Sequence, residues 1–138
     1  MRSLQLNISD ASGRDEFEAL RGCVLSVGNF DGVHLGHQQI IRQTIADARQ
    51  TEGLALVVTF DRHPNAIVAP DRVPPLIYSP SQKVRAIESL GADALLIVTP
   101  YYIKPPQRGL VAYFLEAIRG LDTPWMVYHI PGRAAVSV

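Results

Sequence analysis

One cysteine, Cys23, stands in a chain of 138 residues. A lone thiol excludes an internal disulfide and any cysteine-based zinc cluster. It points to a reducing, cytoplasmic setting, in which Cys23 is a free thiol buried on a strand. Charge of one sign is missing too, since 13 Lys and Arg balance 13 Asp and Glu. That balance removes the electrostatic case for nucleic acid or an anionic membrane as partner. The longest apolar runs, Leu54 to Val58 and Ala94 to Val98, fall far short of a bilayer span. Met1 to Asp10 lacks a basic-then-apolar leader pattern, and no repeat or low-complexity segment is visible. What is plentiful is apolar side chain, 47% of the residues, enough for the core of one domain over 1–138.

Strand and helix signals alternate along that domain. Cys23 to Val27 is a short apolar run that ends at Gly28, a strand followed by a turn. Ile40, Ile41, Thr44, Ile45 and Ala48 recur at helical spacing and predict an amphipathic helix over Gly36 to Thr51. Leu54 to Phe60 is a second buried strand, and the proline-rich Asp61 to Tyr78 is a loop. Ser79-Pro80-Ser81-Gln82 has the form of a helix start, with a serine cap, proline in the first turn and a glutamine that reaches back. Val84, Ile87 and Leu90 form that helix's apolar stripe, and Gly91 stops it. Ala94 to Thr99 is a third strand, and Pro100 to Pro106 is a loop. Leu110, Tyr113, Phe114, Ala117 and Ile118 form the face of a third helix ended by Gly120, and Trp125 to Ile130 is a fourth strand. Phe17 and Leu20 add a short helix within an N-terminal extension, 1–21. The whole is an α/β domain of parallel strands with right-handed helical crossovers.

Chemistry concentrates in the first strand-to-helix connection. Gly28, Gly32 and Gly36 permit tight turns and close approach of phosphate oxygens. The helix that starts near Gly36 aims free N–H groups and a partial positive charge at the same place. His34 and His37, three residues apart, are positioned there to donate hydrogen bonds to a polyphosphate. Such donors stabilise charge that builds on a phosphorus centre and on departing pyrophosphate, with magnesium sharing the task. The plainer alternative is that the two histidines merely cap the helix.

The run Gly28-Asn29-Phe30-Asp31-Gly32-Val33-His34-Leu35-Gly36-His37 resembles the HxGH nucleotidyltransferases. More narrowly, it resembles the FMN adenylyltransferase module of bacterial bifunctional riboflavin kinase/FAD synthetase. Thr59-Phe60-Asp61-Arg62-His63-Pro64 and Leu90-Gly91-Ala92-Asp93 extend the likeness over 22–98. Arg62 stands where that family usually has proline. The resemblance implies a three-layer α/β/α, Rossmann-like fold with strand order 3-2-1-4, and formation of FAD and pyrophosphate from FMN and ATP. It implies His34 and His37 as catalytic phosphate contacts and Gly28, Asn29, Phe30, Asp31, Gly32 and Gly36 as the nucleotide-binding turn. Thr59, Asp61, His63 and Pro64 are its flavin-side candidates. The implied ligands are ATP, magnesium and FMN, with no resident metal.

Beyond 98 the likeness changes. Thr99-Pro100-Tyr101-Tyr102-Ile103-Lys104-Pro105-Pro106-Gln107 and Val127-Tyr128-His129-Ile130-Pro131-Gly132-Arg133 resemble the dihydrodipicolinate synthase/N-acetylneuraminate lyase family, (β/α)8 barrels of Schiff-base aldolases. By position Tyr128 matches a proton-relay tyrosine and Arg133 a carboxylate-binding arginine, while His129 stands where asparagine is frequent. That family's Schiff-base lysine has no counterpart here, which disfavours a lyase. The chain therefore reads as an engineered chimera of 22–98 and 99–138. It is expected to keep residual nucleotide or phosphate binding without efficient catalysis, the alternative being an active FMN adenylyltransferase. Tyr128, His129 and Arg133 are expected to face the Gly28–His37 turn across a switch point between strands 1 and 4. An open fourth strand, with Tyr101, Tyr102, Tyr113 and Phe114 partly uncovered, leads us to expect a homodimer.

Overall fold

A computed structural model describes residues 20–60, 71, 73–98 and 106–128. The order is β1 (Val24–Gly28), a 3-10 turn (Asp31–Val33), α1 (Leu35–Gln50), β2 (Ala55–Phe60), α2 (Pro80–Ser89), β3 (Ala94–Val98), α3 (Gln107–Ala117) and β4 (Trp125–Tyr128). The four strands and three helices read from periodicity over these residues are all present. The start of α2 is a complete capping box. Ser79 Oγ accepts from the Gln82 amide at 3.3 Å, and Gln82 Oε1 accepts from the Ser79 amide at 2.8 Å. Phe17, Tyr101 and Tyr102 lie outside the described residues.

All neighbouring strands pair in parallel, which bears out the α/β class. Their order corrects the expectation: it is β1-β2-β3-β4, not 3-2-1-4. The cause lies just before β4. Glu88 at the end of α2 accepts from the amides of Asp122 and Thr123 at 2.8 and 2.7 Å. Leu95 N then donates to Pro124 O at 2.9 Å. These bonds deliver Trp125 beside Leu95, and the register runs on to Val98 against Tyr128. β1 and β4 thus form opposite edges of the described sheet.

The same order places the helices. Right-handed crossovers between successive neighbours put every helix on one face. There Ile41 of α1, Val84 and Ile87 of α2, and Leu110 and Phe114 of α3 pack with Val57, Leu95 and Ile97 into one core. A second correction follows: among the described residues the architecture has two layers, not three. On the other face Leu56, Ala94 and Met126 are buried, with Leu20 and Cys23 packed against them. Leu25 and Val27 of β1 lie more than half exposed on that side.

Three smaller expectations change. Cys23 is free but only half-buried, and it precedes β1. Ile40 is exposed on α1, whereas Ile41, Thr44 and Ala48 face the core. Phe114 is buried, stacked on Trp125 with ring centroids 6.4 Å apart. The amino ends of the sheet are closed by Asp93, which receives Arg49 at 2.7 and 2.8 Å and the Ala55 amide at 2.8 Å. The Arg49 bonds, against opposition from burial, hold the Asp93 carboxyl below its usual range.

Candidate functional site

The opposite, carboxyl ends of β1 and β2 hold the glycine-rich turn. After Gly28 the chain folds back so sharply that Phe30 takes φ 49°, a left-handed conformation costly for a bulky residue. Burial of the ring offsets that cost, because Phe30 is only 2% exposed within the main core. The ring lies directly against Gly28, where an added Cβ would meet it at 2.9 Å. Gly32 sits at φ 70° with the Ile77 side chain over it, so no larger residue fits there without strain.

Asp31 fastens this turn to the segment before α2. Its carboxylate accepts from the Ile77 amide at 2.9 and 3.1 Å and from the Tyr78 amide at 3.0 Å. Burial pushes its pKa up, but these amides, the Lys83 charge and the Gly32 amide together bring it below the ordinary value. The Asp31 oxygens are therefore engaged with backbone.

His34 is the N-cap of α1. Its Nδ1 accepts from the His37 amide at 3.3 Å, which leaves Nε2 as the ring nitrogen able to donate. The His34 and His37 rings stack with centroids 3.5 Å apart and 19° between planes. The edge of Phe30 meets His37 at 5.4 Å. Burial first, then His34, lowers the His37 pKa; the Asp31 charge and carbonyl oppose this, and Lys83 adds to it. His37 Nδ1 and Asn29 Oδ1 are buried with no hydrogen-bond partner among protein atoms. His34, Leu35 and Gly36 are exposed, so the first turn of this 16-residue helix opens to solvent.

The second motif meets the first through one carbonyl. Thr59 is buried, and its Oγ1 donates to Asn29 O at 3.1 Å. Asp61, His63 and Pro64 lie outside the described residues, as do His129 and Arg133. Tyr128 is on β4, at the far edge from β1 with two strands between, so the expected switch point between strands 1 and 4 is not formed. The neighbour order of the sheet, set by Glu88 and Pro124, is the reason.

Sequence reading passed over Lys83. It is 2% exposed, and its Nζ donates to Asn29 O at 3.0 Å and also to Phe60 O. Its spacing held the signal, since it lies four residues before Ile87 and seven before Leu90, on the apolar stripe. Among the described residues no three His, Cys, Asp or Glu side chains cluster as metal ligands. No helix among them is long and apolar enough to cross a membrane.

The FAD synthetase family model matches residues 16–102, more than half of the chain. The chain belongs to the FAD synthetase family. The dihydrodipicolinate synthetase family model matches residues 81–138, so this member carries segments of two families, overlapping across α2 and β3. The 4-hydroxy-tetrahydrodipicolinate synthase of Brucella suis is 39% identical over 100 residues, covering 64% of this chain and 34% of that protein. That of Roseobacter denitrificans is 51% identical over 55 residues, covering 40% of this chain and 19% of the relative. The chain thus spans about a third or less of the length of these relatives.

Solved structures share the α/β fold. Dihydrodipicolinate synthase from Thermotoga maritima superposes with a TM-score of 0.54 at 25% identity, over 77% of this chain and 32% of that one. A monomeric dihydrodipicolinate synthase variant gives 0.57 at 22% identity over 88% and 39%, a likeness of fold alone. The superposition covers more of this family member than the dihydrodipicolinate synthetase model does. The fold likeness to dihydrodipicolinate synthase therefore extends into the residues that the FAD synthetase model matches.

Proposed function

We propose that this FAD synthetase family member is an engineered recombination of two α/β fragments that binds nucleotide polyphosphate weakly and catalyses no efficient reaction. One observation carries the reading. The Gly28–His37 turn presents a solvent-open helix N-terminus with stacked His34 and His37 at the carboxyl ends of β1 and β2. Amides of the first turn of α1 and His34 Nε2 are the donors for phosphate oxygens. Asp31 serves by fixing the turn, and Gly28, Gly32 and Gly36 by keeping it open. Magnesium-bound ATP is the expected ligand, with weak FMN contacts from Thr59 to Pro64.

Support for recombination comes from the overlap of the two family segments at 81–102 and from the continuous register across it. Support for weak binding comes from the position of β1, at an edge of the described sheet with no β4 beside it. Calorimetric titration with magnesium-ATP should give a saturable isotherm that disappears in a His34→Ala, His37→Ala double variant. Persistence in that variant would move the site elsewhere. Magnesium-dependent formation of FAD from FMN and ATP at a useful rate would replace this reading with an active FMN adenylyltransferase.

A further inference from the structure

Lys83 is a buried cation that no motif explains. Removing an ammonium group from water is costly unless every proton is used. Among the groups that receive it, Asn29 O and Phe60 O sit at the carboxyl ends of β1 and β2. Those two strands lead into the two FAD-synthetase motifs. Thr59 Oγ1 shares the Asn29 carbonyl, so one oxygen joins β1, β2 and α2. An apolar side chain at 83 would leave the Phe60 carbonyl without this donor and the Asn29 carbonyl with Thr59 alone. The lysine also brings a fixed positive charge to the backbone of the turn itself.

We propose that Lys83 is a positioning residue of the phosphate site: its ammonium clamps the ends of β1 and β2 and holds a buried positive charge against the Gly28–His37 turn. The assignment rests on the phosphate-site reading above for its function, and on the Nζ geometry for its structural part. The clamp keeps Asn29 and Phe60, at the carboxyl ends of β1 and β2, in register beside the N-terminus of α1. The charge attracts polyanions and disfavours protonation of His37. Four groups meet His37: Phe30, His34, Asp31 and, by its charge, Lys83.

The test begins with the unaltered chain. A Lys83 ammonium signal by nitrogen-15 NMR, protected from solvent exchange at neutral pH, is expected; rapid exchange would overturn the clamp. In Lys83→Met the His37 ring should titrate at higher pH than in the wild type, because a nearby positive charge is gone. A merely structural role for Lys83 predicts no upward movement, and its absence in a folded variant refutes the electrostatic part. Inorganic pyrophosphate should bind the variant about tenfold more weakly; equal binding rejects positioning. If Lys83→Met does not fold, ammonium protection in the wild type decides the clamp. If the wild type binds no pyrophosphate, the phosphate-site reading fails, and the ammonium signal and the His37 titration still decide whether Lys83 clamps and polarises the turn.

Discussion

Replacing Asp31 by alanine separates the turn from the segment it holds. Two backbone amides, Ile77 and Tyr78, lose a carboxylate at 2.9 to 3.1 Å. Hydrogen bonds to a charged group are worth about 1.5–3 kcal/mol each. Asp31 is half-buried, and solvent screening puts each bond at the lower end. Water reaches Ile77, which is 70% exposed, and recovers part of the loss. The net cost is about 1–2 kcal/mol, and it falls on one segment, because Val73 to Ile77 is exposed and has little burial to hold it. Amide hydrogen exchange at Ile77 and Tyr78 should accelerate by about tenfold, the factor that corresponds to ~1.4 kcal/mol. Exchange at Val57 and Leu95 in the core should change far less. Asp31→Asn keeps one acceptor oxygen and should fall about midway. Unchanged protection of Ile77 and Tyr78 in Asp31→Ala would refute the clamp.

Gly28→Ala should cost about 1–3 kcal/mol, because the new methyl meets the Phe30 ring at 2.9 Å and the ring cannot leave the core; chemical denaturation should show a lower midpoint at unchanged slope. Acid should destabilise the chain in two stages. His37 has a depressed folded pKa, so its contribution begins to fall as pH drops below 6.5, where the unfolded chain takes up the proton first. Asp31, Glu88 and Asp93 are likewise depressed, so their stabilisation is complete above the unfolded values of 3.8 for Asp and 4.5 for Glu and is lost below them. Thermal melts should show a shallow decline below pH 6.5 and a steeper one below 4.5, and a melting temperature that is flat down to pH 3 would contradict this. Light scattering across a concentration series should reveal a dimer, formed through β4; a monomer at millimolar concentration with Trp125 shielded from quencher would reject it.

Local structure was legible in the sequence because its causes are local. Ser79, Pro80 and Gln82 specify a helix start within four residues, and the capping box forms as written. The spacing of Ile41, Thr44 and Ala48 identifies the buried face of α1 regardless of what lies against it. Strand order is different, since it depends on contacts that close over long separations. Glu88 meets Asp122 and Thr123 across more than thirty residues, and no periodicity marks that pairing. The site was readable in the same uneven way. His34 and His37 meet because a helix start puts them together. Asp31 stood in the motif, but its partners are amides of Ile77 and Tyr78, which any residue type supplies. Lys83 was missed although a lysine on an apolar stripe is itself the mark of a buried cation with carbonyl partners.

The position of β4 has a consequence for the site. The pairing of β1 with β2 is common to the expected order and the observed one. The two orders part at β4, which flanks β1 in one and β3 in the other. In the expected order a second wall stands beside the phosphate turn, and the ligand lies in the crevice between. In the observed order β3, α3 and β4 all belong to the 81–138 segment and keep each other as neighbours. Among the described residues the turn after β1 is then left at a sheet edge, with β2 and the segment before α2 on one side. The proposed recognition of phosphate oxygens uses only amides of the first turn of α1 and the His34 ring N–H, which belong to one short segment. Recognition of a base or a flavin ring needs apolar walls on both sides. Selectivity should therefore follow the phosphate chain and not the nucleoside: inorganic pyrophosphate and magnesium-ATP should compete for the turn with affinities within about tenfold of one another.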